Sequence, residues 1–76
     1  MDLKLFIDNI RTQFDETDTS LITEETDFKS LDEWSSLVAM GVIAMIDEEY
    51  GAEIKGDDRR ASLTIQDLYK IVLSKS

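Results

Sequence analysis

The chain has 76 residues, 17 of them acidic and 8 basic, for a formal net charge of −9, and it contains neither cysteine nor histidine. That length makes one domain, residues 1–76, which buries only about 60% of its unfolded surface and starts with a thin stability margin. The composition excludes a disulfide staple, a thiolate nucleophile, and the commonest general base and zinc ligand.

The acidity repels nucleic acid and anionic membrane surfaces and favours basic partner surfaces. It also serves simply to keep a small domain soluble. A hydrophobic content of 42% argues against disorder. No apolar run approaches the roughly 18 to 20 residues of a membrane span. The start, MDLKLF, has no basic n-region and no cleavage pattern, so a cytoplasmic protein is expected; the chain is also expected to be a monomer.

Residues 2 to about 15 read as a first helix. Leu3, Phe6, Ile7, Ile10 and Phe14 recur at steps of three and four and make one apolar stripe. Asp2 suits the N-terminal cap, and Asp8, Asn9, Arg11, Thr12 and Gln13 form the wet side.

From Asp15 to Ser35 no period is sustained. A structureless loop of about 20 residues is uncommon in a compact domain. Leu21, Ile22, Phe28, Leu31 and Trp34 are therefore expected to pin it to the helices, with a single turn at Thr23–Thr26 capped by Thr23. Trp34 reads as an anchor for this loop, with a binding role as the other reading. A connection this long suits a crossover between roughly antiparallel helices.

The central helix is predicted over 36–50, with Ser35 or Ser36 as its N-cap and Gly51 in the position that ends helices. It has too many apolar residues for one buried stripe. Ala39, Val42, Ile43, Ile46 and Tyr50 fit a core face, whereas Leu37, Met40 and Ala44 fall on another. An apolar strip left partly exposed beside a hydroxyl suggests docking as well as folding. Gly41 costs the helix about 1 kcal/mol against alanine. Either a neighbour packs closely there, or a side chain would obstruct a partner or a cofactor arm.

A polar connector, 52–61, follows, with a short helical turn near Asp57–Ala61 and a basic pair, Arg59-Arg60, read as a solvated face. The last helix is predicted from about Thr64 to Leu73. Thr64 caps it, Asp67 sits at the third helical position, and Ile65, Leu68, Tyr69 and Val72 form its core stripe. The expected fold is thus all-α: a small bundle of three main helices plus a short helical turn before the last, with a long loop after the first.

Catalytic machinery is not legible. Ser36 has no histidine to activate it, and Lys29 is a remote substitute. The run from Asp47 through Glu49 lacks the register of a calcium loop, so no dedicated metal site is expected.

Ser36-Leu37, followed by an apolar helix ending in Asp47-Glu48-Glu49-Tyr50 and then Ala52-Glu53-Ile54, resembles the acyl carrier proteins. The resemblance spans roughly the whole chain and is strongest from Phe28 to Ile54. In that family an Asp-Ser-Leu motif opens the second helix, and its serine carries 4'-phosphopantetheine. Here the aspartate is replaced by Ser35.

The resemblance implies that Ser36, directly before leucine, receives the arm from coenzyme A through a phosphopantetheinyl transferase. It implies a non-catalytic carrier of acyl thioesters in fatty-acid or specialised lipid or polyketide-type biosynthesis. Leu37, Met40 and Ala44 would then receive acyl-transfer and ketoacyl-synthase-type enzymes, with Asp32, Glu33, Asp47 and Glu48 steering their basic surfaces. Other readings are a peptidyl or aminoacyl carrier, and a carrier-like interaction module without cofactor.

Overall fold

A computed structural model of the chain describes residues 2–75. Four helices follow in order: α1 (Leu3–Arg11), α2 (Ser36–Tyr50), α3 (Gly56–Ala61) and α4 (Ile65–Lys75). Two 3-10 turns, Thr19–Leu21 and Phe28–Ser30, interrupt the connection between α1 and α2. No strand occurs among the described residues, so the bundle is all-helical as the periodicity implies.

α1 begins where Asp2 accepts a hydrogen bond from the Lys4 amide. It ends at Arg11, earlier than the predicted 15. The Thr12 hydroxyl donates to the Asn9 carbonyl at 2.6 Å. Gln13 and Phe14 then bond three residues back, to Ile10 and Arg11, so the final turn tightens. Phe14 keeps its place in the core despite leaving the helix. Asn9 is not merely wet-side: its Nδ2 donates to the Tyr50 hydroxyl at 2.9 Å, tying α1 to the end of α2.

The core draws on α1, α2, α4 and the connections, while α3 buries none of its residues. Phe6, Ile10, Ile22, Ile46, Ile65 and Val72 are its most deeply buried large side chains. Each buried aliphatic or aromatic side chain contributes about 1.5–3 kcal/mol. The Phe6 ring sits between Tyr50 and Tyr69, with centroids at 5.5 and 5.3 Å. Met45 also belongs to the core, a position the predicted stripe omitted. Ile43 and Tyr50 pack against it while half-buried.

The long connection is held by its own apolar residues and by its ends. Ile22 and Phe28 are buried, and Trp34 packs on Phe28 (5.2 Å) and Phe14 (6.3 Å), which makes it the expected anchor. Leu21 does not pin the loop: it is 63% exposed. The turn that Leu21 closes delivers the next residue, Ile22, inward instead.

The connection also completes the start of α4. The Ile65 and Gln66 amides donate to the Thr26 and Glu24 carbonyls, and Thr64 Oγ1 accepts from the Asp67 amide. The Asp67 carboxylate accepts from the Leu63 and Thr64 amides in return. Helix-terminal amides without intrahelical partners are thereby satisfied. Ala52 and Ile54, between α2 and α3 in the chain, are buried in the core on either side of exposed Glu53.

Candidate functional site

The mouth of α2 resolves the choice between two serines. Ser35 is extended (φ −153°, ψ 172°), and its Oγ accepts from the Val38 amide at 3.2 Å. Its carbonyl accepts from the Ala39 amide at 2.8 Å. Ser35 is therefore the cap. Ser36 becomes the first helical residue, exposed, with its hydroxyl in no hydrogen bond to the described residues. The Ser36 and Leu37 amides are likewise left without partners at the positive end of a 15-residue helix.

Beyond Ser36 the helix presents the strip that its spacing requires. Leu37 is 80% exposed and Met40 67%, and Ala44 is exposed on the same side. Ala39, Val42, Met45 and Ile46 face the core. Gly41 lies beside the end of α1: a Cβ there would come within 2.6 Å of the Gln13 side-chain oxygen. Only the end of a flexible side chain borders Gly41, so packing does not require glycine there. Gly51 ends the helix at φ 65°, a left-handed conformation that glycine adopts without strain.

The acidic residues divide into two kinds. Asp32 near the mouth, and Asp47, Glu48 and Glu49 at the far end, are exposed. Glu33 is instead turned onto its own connection. Its carboxylate accepts from the amides of Asp15 (2.7 Å), Glu16 (3.1 Å) and Thr17 (2.8 Å) and from the Thr17 hydroxyl (2.7 Å). Led by the Thr17 hydroxyl, these donors hold the carboxyl below the usual carboxylate range. Its charge is engaged by four donors, so Asp32 carries the free negative charge at this end. Sequence spacing gives no signal for this clasp, because its partners lie 16 to 18 residues away on an aperiodic stretch.

Lys29, the remote candidate base, donates through Nζ to the Arg59 carbonyl at 2.8 Å. No group of three or more acidic, histidine or cysteine side chains among the described residues is arranged to hold a metal. No helix among them is long and apolar enough to cross a membrane. No protein-family model, curated protein or solved structure matches this chain.

Proposed function

We propose that the chain is an acyl carrier whose Ser36 bears 4'-phosphopantetheine. The observation that supports this most directly is the division of labour between adjacent serines. Ser35 does the capping, which leaves the Ser36 hydroxyl exposed and unengaged at a helix mouth. The residues present fit such an arm. The Ser36 and Leu37 amides and the helix dipole favour a phosphodiester at that position. Among the described residues no base contacts the Ser36 hydroxyl, which suits activation by an external transferase. In its active site the Ser36 oxygen displaces 3',5'-bisphosphoadenosine from coenzyme A, forming the serine–phosphorus ester as the pyrophosphate bond breaks, and the hydroxyl proton passes to the transferase.

When attached, the arm supplies the thiol that a cysteine-free protein lacks and so allows acyl groups to be held as thioesters. The protein's own contribution is positioning. Leu37, Met40 and Ala44 give enzymes an apolar landing strip. Asp32 at one end, with Asp47 and Glu48 at the other, draws basic surfaces toward it. Fatty-acid, specialised lipid and polyketide-type pathways all use such a surface.

The test is incubation of the unmodified protein with coenzyme A and a broad-specificity transferase, followed by intact mass and peptide mapping. One phosphopantetheinyl group is expected, on Ser36, and none on Ser36→Ala. A label on Ser35, or wild-type labelling of Ser36→Ala, rejects the assignment. An unlabelled wild type beside a labelled control carrier favours an interaction module that uses the same strip without a cofactor.

A further inference from the structure

Only eight basic residues are spread over this acidic chain, yet three of them line one open cavity. Lys29, Arg59 and Arg60, with Trp34 and Gly56, enclose about 180 Å³ between the second 3-10 turn, the residues preceding α2, and α3. The charges there are incompletely compensated. Arg60 pairs with Asp57. Neither Lys29 nor Arg59 forms an ion pair among the described residues. Lys29 spends one of its three N–H donors on the Arg59 carbonyl. Arg59 Nε is buried with no hydrogen-bond partner among the described residues. The nearest acid in sequence, Asp58, is committed to the Lys55 amide (3.0 Å) and to Lys75 (3.2 Å).

Two cations without an ion-pair partner on one cavity wall repel each other; the Phe28 ring, 5.9 Å from Lys29 Nζ, offsets only part of that cost, and an anion between them removes it. The remaining walls suit a compact ligand. Trp34 is fixed by its contacts with Phe14 and Phe28. Arg60 Nη1 stands at ordinary contact distance, 3.5 Å, from where a Cβ on Gly56 would lie.

We propose that this cavity binds a compact, doubly charged oxyanion, the headgroup of a phosphate monoester or a small dicarboxylate. Two free positive charges match two negative ones, and guanidinium groups bond such oxygens in pairs. The Cα atoms of Trp34 and Ser36 are no more than about 7.6 Å apart, so the bound anion lies near the mouth of α2. The inference does not depend on modification of Ser36.

Trp34 is the only tryptophan and provides the readout. The unmodified full chain is titrated with potassium phosphate, malonate and acetate at slightly alkaline pH, with ionic strength held constant by potassium chloride. Trp34 emission and the Gly56 amide resonance are followed together. A saturable response to a dianion is expected, with acetate about tenfold weaker or more. Phosphate binding tighter than malonate assigns the site to phosphoryl groups, and the reverse order assigns it to dicarboxylates. Arg60→Gln, at an exposed position that spares the fold, should weaken binding severalfold, and Lys29→Gln more. Lys70→Gln, on exposed α4 surface, should leave binding unchanged. A dianion response no different from that of potassium chloride, acetate binding equal to the dianions, or equal losses in Lys70→Gln and Arg60→Gln would overturn the proposal.

Discussion

Deleting the Ser35 hydroxyl leaves the Val38 amide without its acceptor, whereas deleting that of Ser36 removes nothing the fold uses. Ser35→Ala is expected to lower stability by about 1 kcal/mol in a urea titration, the usual cost of a lost N-cap. Ser36→Ala should unfold at the wild-type midpoint, which separates loss of modification from loss of folding. Equal losses in the two variants would show that the cap is shared. Gly41 makes a second residue-scale prediction. Its only close neighbour is the end of the flexible Gln13 side chain, which can swing aside. Alanine at that position restores up to about 1 kcal/mol of helix propensity. Gly41→Ala should therefore raise the melting temperature slightly. A clear fall would mean that the Gln13 amide is held in place.

At the scale of the element, α2 buries one face and offers another, and paired truncations distinguish them. Ile46→Ala, at a fully buried position, should cost about 2–5 kcal/mol in denaturant titrations. Met40→Ala should change stability by less than about 0.5 kcal/mol while slowing loading by a cognate enzyme. If both unfold alike, docking must be sought along the acidic end of the helix. The bounds of α2 were readable because serine, a long apolar run and Gly51 mark both termini. The stripes of α1 and α4 were readable from their period. The C-terminal end of α1 was less so, because the Thr12 hydroxyl and the tightened turn act on backbone groups that side-chain periodicity does not encode. The Glu33 clasp and the convergence of Lys29 with Arg59 and Arg60 were invisible for a related reason. Each joins residues far apart in the chain through segments without a repeat, and only the folded path brings them together. For the candidate site, sequence singled out Ser36 and the strip, but the division of capping between Ser35 and Ser36 needed the backbone geometry.

Across the whole molecule, two electrostatic effects of opposite sign set the response to pH and salt. With acids exceeding bases by nine, self-repulsion opposes compaction, so added salt at neutral pH should raise the melting temperature. Against this, four carboxylates are held below their usual range by donors available only in the fold. The leading donors are the Ser20 amide for Asp18, the Thr17 hydroxyl for Glu33, the Lys55 amide for Asp58 and the Thr64 amide for Asp67. Because the folded values are depressed, their stabilisation is complete above the unfolded range near about 4 and is lost as the pH falls through the folded values. Melting temperature is therefore expected to fall below about pH 4, and Glu33→Gln should flatten part of that fall. A curve unchanged by salt and level through that acid range would contradict both effects. The Glu33 clasp has a mechanical consequence as well. By joining Asp15–Thr17 to Glu33 it provides a shortcut past the intervening chain, so tension applied at the two ends of the protein can bypass that connection. Once the carboxylate lets go, the chain between Thr17 and Glu33, about 50 Å when fully extended, is still held by the burial of Ile22 and Phe28 and by bonds to Arg11, Ile65 and Gln66. The clasp is thus the outermost latch on a stretch whose extended length exceeds the folded protein's longest dimension of 29 Å.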